Sequence, residues 1–146
     1  MLHRTKKKND INHDKWLGVG GGIEVGETPD QCLLREVLEE TGLTLTRYRR
    51  RGIVDFVSDV AEDEEMHLYT ADAWTGDLIE CDEGDLEWVD KATVPKLPLW
   101  EGDRIFLRLI RTEAPEFRLR LEYHGDELVR AVLNGKEMSR DEMQLS

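Results

Sequence analysis

Glu36, Glu39 and Glu40 stand at spacings of three, four and one. At about 100° of turn per residue they share an arc of roughly 100° on a helix. Leu34, Val37, Leu38 and Thr41 fall on the opposite side, so one face is expected to be buried and the other to present three carboxylates. Like charges at these spacings repel one another and destabilise an isolated helix. A bound cation would turn that repulsion into coordination. Oxygen donors with no nearby histidine or cysteine cluster favour Mg²⁺, or Mn²⁺ as a substitute, over zinc. A solvated acidic helix face is the competing reading for the three glutamates alone.

Other residues gather round them. Glu27 precedes the helix as a further carboxylate, or as a charge that favours the positive end of the helix dipole. Arg35 is a single cation among acids, either paired within the site or part of an ordinary surface pair. Gly20, Gly21 and Gly22 let the backbone turn tightly and approach a ligand. No Gly-Lys-Ser/Thr follows them, which excludes a phosphate-binding P-loop.

The helix that positions these groups is expected at about residues 29–41. Thr28 serves as N-cap, Pro29 fits the first position and Gln31 completes a capping box. Gly42 stands just past the end, where a left-handed backbone suits glycine. Residues 1–5 read as the end of a strand, 6–14 as a polar loop and 15–19 as an apolar run into the glycines. Strands follow at 46–58 and 65–74, then an acidic loop at 76–85 and a short strand LEWVD. A helix is expected at about 100–112, with Ile105, Phe106, Leu109 and Ile110 at helical spacing. FRLRLEY and ELVRAVL flank His124-Gly125-Asp126 as a hairpin. The pattern is α/β (α+β) with a mixed sheet, in one domain covering residues 1–146.

The formal net charge of −12 argues against a nucleic-acid polymer as partner. It suits a small phosphate substrate only if divalent cations mask some of the carboxylates. No apolar run is long enough to cross a membrane, and no apolar stretch follows the basic start as in a secretory signal. Cys32 and Cys81 have no zinc or redox spacing, which points to a reducing, cytoplasmic setting.

From Gly21 to Leu43 the chain reads GGIEVGETPDQCLLREVLEETGL, the pattern G-x5-E-x7-R-E-U-x-E-E-x-G-U with U apolar. It resembles the box of the Nudix hydrolases, which cut nucleoside diphosphates linked to another group. The resemblance implies an α/β/α sandwich with a mixed sheet, whose first N-terminal strand is missing here. The resulting unpaired edge makes self-association possible. It assigns metal binding to Glu36, Glu39, Glu40 and the Gly20 carbonyl, with Glu27 in support, and has Arg35 orient a glutamate. The general base is Glu39, Glu40 or Glu83, the last in the loop ECDEGDLEW.

Beyond the box, K-W-L-G-V-G-G, E-C-D-E-x-x-x-x-W-V and L-W-E-G-D look most like the MutT-like group that clears oxidised purine nucleoside triphosphates, including the animal 8-oxo-dGTPase type. That likeness carries a base contact to Trp100 and Asp103, and ligand contact to Gly21 and Gly22. Gly102 replaces an acid of the animal enzyme, and Leu17 an asparagine. Trp100 has core anchoring as its other reading, as do Trp16 and Trp88. The expected activity is release of monophosphate and pyrophosphate from a nucleoside triphosphate such as 8-oxo-dGTP. Hydrolysis of a nucleotide sugar or ADP-ribose, or a non-catalytic nucleotide-sensing module, are the alternatives.

Overall fold

The computed structural model describes residues 2–3, 16–60, 62–79 and 85–144. Their elements run β1 (Leu2–His3), β2 (Trp16–Leu17), α1 (Pro29–Thr41), β3 (Thr44–Ser58), β4 (Glu64–Thr75) and β5 (Asp85–Leu86). A 3-10 turn (Val94–Lys96), α2 (Asp103–Arg111), β6 (Phe117–His124), β7 (Glu127–Leu133), β8 (Lys136–Glu137) and α3 (Arg140–Gln144) follow. One sheet has the order β2-β1-β5 and the other β4-β3-β6-β7-β8. The larger sheet is mixed, because β3 pairs β6 in parallel while β6 pairs β7 antiparallel. No described helix is long and apolar enough to cross a membrane.

The chain divides into two compact units. One comprises the described residues within Met1–Tyr48 and Ala71–Leu99, and the other Arg49–Thr70 and Trp100–Ser146. In the second unit β6 alternates strictly. Phe117, Leu119, Leu121 and Tyr123 are buried while Arg118 and Arg120 are exposed, the period-two signature of a strand with one apolar face. That face joins Val54, Ile105, Phe106, Leu128 and Ala131 in a single core. Gly102 donates its N–H to the Tyr123 hydroxyl at 2.7 Å. A Cβ on Gly102 would lie 2.5 Å from Leu121 and 2.6 Å from the Tyr123 oxygen. This packing explains why no acidic side chain stands at position 102.

In the first unit α1 has the expected ends. Thr28 and Gln31 exchange side-chain-to-backbone bonds at 2.9 and 3.2 Å. Thr41 is buried, donating to the Val37 carbonyl at 2.6 Å and accepting the Leu43 N–H at 3.1 Å. Gly42 adopts φ 79° and returns its N–H to the Leu38 carbonyl at 2.9 Å.

Three expectations are corrected. Leu38 is half exposed instead of buried; the buried residues of α1 are Val37 and Thr41 on one side and Cys32 on the other. The strand expected over LEWVD is limited to Asp85–Leu86, because Asp90 is drawn into a turn, accepting the N–H groups of Ala92 and Thr93. The helix expected at about 100–112 starts at Asp103, after a turn fixed by the Gly102–Tyr123 bond. The short β8 and α3 were not anticipated; Met138, between them, is buried and donates its N–H to the Ala131 carbonyl.

A Cβ on Gly42 would meet the Asp77 carbonyl at 2.6 Å and Ile79 at 2.8 Å. Left-handed backbone and close packing both oppose a side chain there. Gly42→Ala is expected to lower unfolding free energy by about 2 kcal/mol or more, measured by urea denaturation.

Candidate active site

The site is built on α1 and the loop leading into it. Gly26 turns the chain at φ 82°, and Glu27 closes that turn. Glu27 donates its N–H to the Glu24 carbonyl at 3.0 Å, and its carboxylate accepts the Glu24 N–H at 3.0 Å. The other face of the Glu27 carboxylate meets Arg35, two turns into the sequence of the helix. Arg35 donates Nε to Glu27 at 2.7 Å and Nη2 to the same carboxylate at 2.9 Å, a bidentate pair. Its Nη1 reaches Glu36 at 2.8 Å and Glu39 at 3.2 Å, and its Nη2 also reaches the Gly22 carbonyl at 3.0 Å. Glu24 lies 3.8 Å away as an outer ion pair.

The glycine loop is held from the helix side as well. Gly20 donates its N–H to Glu40 at 2.9 Å. The buried Cys32 thiol donates weakly to the Gly21 carbonyl at 3.6 Å. The Glu36 carboxylate lies so close to Gly21 that a Cβ there would come within 2.5 Å of both its oxygens. Residue type therefore matters at position 21: only glycine leaves room for the Glu36 carboxylate where it sits.

These contacts set the electrostatics. The Arg35 guanidinium, with the Glu24 amide, holds Glu27 down at about 2 from its usual 4.5. Its carboxylate partners, Glu27 first, push Arg35 further up. Burial pushes the Cys32 thiol up, and the negative Glu27 adds to this, so it remains a protonated thiol.

Glu24, Glu27, Glu36 and Glu39 all share one guanidinium, and Glu40 lies across the same loop. Among the described residues no three acidic, histidine or cysteine groups already converge as a metal cage. The donor chemistry nonetheless fits a hard divalent cation. The carboxylates outnumber the one cation, and peptide carbonyls of the glycine loop run beside them. The ligating groups on hand are oxygens, apart from the protonated Cys32.

The structure thus brings together Gly20, Gly21, Gly22, Glu27, Arg35, Glu36, Glu39 and Glu40. Glu83 and Cys81 lie outside the described residues, and of Trp16 only its place in β2 is described. Trp100 and Asp103 belong to the second unit. Trp100 packs against the core, its ring edge-on to Tyr123 at 5.3 Å, and Asp103 is buried in the first turn of α2. Burial and the nearby Asp103 raise the Tyr123 hydroxyl pKa. Trp88 is not a core anchor, being 65% exposed. Sequence reasoning passed over Glu24 and the Cys32 thiol. The three-residue step from Glu24 to Glu27, with Gly26 between them, was the available signal for the first.

Comparison with known proteins places this geometry in a lineage. The NUDIX domain model matches residues 1–110. The chain is 34% identical over 106 residues to an "oxidized purine nucleoside triphosphate hydrolase" of Danio rerio, covering 71% of this chain and 67% of that protein. It is 30% identical over 126 residues to "uncharacterized Nudix hydrolase YvcI" of Bacillus subtilis, covering 76% and 79%. A mutator MutT protein from Bacillus halodurans superposes with a TM-score of 0.80 at 25% identity, over 91% of this chain and 87% of that one. The box of glycines, arginine and glutamates therefore has the company its spacing implies: the chain belongs to the NUDIX family.

Proposed function

We propose that this protein is a Mg²⁺-dependent nucleoside triphosphate pyrophosphohydrolase that acts on oxidised purine nucleotides such as 8-oxo-dGTP and releases the monophosphate and pyrophosphate. The observation that carries the reading is the seating of Glu36 and Glu40 against the glycine loop, with Arg35 bracing Glu27, Glu36 and Glu39. The name of the Danio rerio relative supports the nucleotide class. Glu36, Glu39, Glu40 and the Gly20 carbonyl would hold the divalent cation, with Glu27 in support. When bound, such an ion neutralises phosphate charge and acidifies a water molecule.

The remaining work falls to the chain. The glycine loop offers backbone without side chains to the polyphosphate. Glu39, Glu40 or Glu83 takes the proton of the attacking water, and the carboxylate must be ionised to do so. Arg35 acts as a positioning residue: its fork holds three carboxylates in register, a task the point charge of lysine would perform less well. The free Cys32 accords with a reducing, cytoplasmic location.

A panel of nucleotides incubated with Mg²⁺ tests the reading. Monophosphate and pyrophosphate should appear, with 8-oxo-dGTP preferred over dGTP, and no release from any of them would refute it. Glu39→Gln and Glu40→Gln should each lower turnover by about 10²-fold or more with the thermal midpoint retained. Gly21→Ala should displace the Glu36 carboxylate and lower turnover by roughly 10²-fold, through kcat more than KM.

The Glu27–Arg35 pair makes a separate prediction about pH. Because folding lowers the Glu27 pKa from 4.5 to about 2, its contribution to stability is complete above 4.5. It is lost as pH falls through about 2. In EDTA, the melting-temperature gap between wild type and Glu27→Gln should be widest above pH 4.5 and close between 4.5 and 2. A gap that widens on acidification would contradict the pairing.

A further inference from the structure

Thr41 is the last residue of α1, and its bonds reach three parts of the chain. Its hydroxyl donates to the Val37 carbonyl at 2.6 Å and accepts the Leu43 N–H at 3.1 Å. Its own carbonyl accepts the Ile79 N–H at 2.9 Å. The helix, its exit and the segment that follows β4 therefore meet at one residue, which is buried.

Helix stability alone does not account for this choice of residue. Threonine loses rotamer freedom in a helix, and a hydroxyl bonded back to the carbonyl one turn earlier tends to bend the helix and weaken it. Alanine or leucine would make the better helix. A buried hydroxyl with donor and acceptor both used instead fixes a single geometry. The geometry it fixes here is that of the turn ending in Glu39, Glu40 and Thr41.

Glu40 is the carboxylate with most to lose from a loose end. The last carbonyls of a helix have no partner within it, and helix ends fray. Glu40 stands one residue from that end, yet its carboxylate accepts the Gly20 N–H at 2.9 Å, twenty residues away in sequence. Glu36 and Glu39 have the Arg35 guanidinium to hold them, at 2.8 and 3.2 Å. Neighbouring Cα atoms are about 3.8 Å apart, so any change of twist at Thr41 moves Glu40 with it.

We infer that the Thr41 hydroxyl is the positioning group for Glu40. By closing the last turn of α1 it sets that carboxylate against the glycine loop, where the divalent cation would be held. The inference rests on the reading of Glu40 as a carboxylate of the metal site. Thr41 acts through Glu40 and takes no part in the chemistry itself.

Thr41→Val keeps the shape of the side chain and removes its hydroxyl, whereas Thr41→Ser keeps the hydroxyl and removes a methyl group. In the valine variant the Gly20 amide proton should move upfield in the nuclear magnetic resonance spectrum, as its bond to Glu40 weakens. Mn²⁺ affinity, read by electron paramagnetic resonance, and kcat in Mg²⁺ should each fall by roughly tenfold. The serine variant should stay close to wild type in all three. In a Glu40→Gln background, Thr41→Val should lower neither affinity nor turnover further. Should the valine variant fail to fold, Thr41→Ala, with the better helix former, carries the comparison. A lower melting temperature with an unmoved Gly20 resonance would overturn the proposal, as would the same tenfold loss in the Glu40→Gln background. A wild type that hydrolyses no nucleotide, while the Gly20 resonance and Mn²⁺ affinity respond as expected, would uphold the positioning of Glu40 and refute the hydrolase reading alone.

Discussion

One guanidinium shared among carboxylates is the constraint on which the candidate active site depends. Arg35 lies within 4 Å of oxygens of Glu24, Glu27, Glu36 and Glu39. Removing it would leave the acids of the preceding turn facing those of the helix, a repulsion that water screens only partly, since Glu27 and Glu36 retain 12% and 15% side-chain exposure. The planar fork can address several acceptors at once, and it also takes the Gly22 carbonyl. Loop, preceding turn and helix are thus tied through a single side chain. The excess of acid that remains is what a divalent cation would offset.

Glycine sets the second constraint, by absence. Glu36 occupies space that any side chain at position 21 would take, and Glu40 reaches the Gly20 amide. The same logic recurs elsewhere in the chain. Gly102 admits the Tyr123 hydroxyl, and Gly52 lies directly against Phe117. In each case the missing Cβ allows a close approach, whereas at Gly26 the requirement is a left-handed backbone alone and at Gly42 it is both. Glycine therefore has two different physical uses in this one chain.

What could be read from the sequence was what local rules determine. The ends of α1 follow from Thr28, Gln31 and Gly42, whose partners lie within four residues, and the β6–β7 hairpin follows from alternation around Gly125. Leu38 escaped because helical periodicity gives angles but not what packs against them. The glycine loop covers Cys32 and Glu36 on the side expected to be open, while Leu38 is left at the surface. The Arg35 network spans eight residues to Glu27 and thirteen to Gly22, a closure set by the turn at Gly26. The residue types were legible there; the partners were not. The tryptophans were hardest, because an indole suits a core and an interface equally well. Trp100 packs against the core and Trp88 does not.

These observations give α1 two working sides. Glu36 and Val37 are neighbours in sequence, about 100° apart on the helix. The first meets the glycine loop and the second lines an apolar cavity. A helix of thirteen residues with this much like charge has little intrinsic stability. Its capping box, the buried Thr41 bonds and the Gly42 stop therefore do more than mark its ends. They keep the glutamates on one arc of the helix, while the burial of Val37 and Thr41 supplies contact that the acidic side cannot. A chain with a net charge of −12 can tolerate such a helix because its acids are placed rather than spread. One group, Glu24, Glu27, Glu36 and Glu39, gathers round a single arginine.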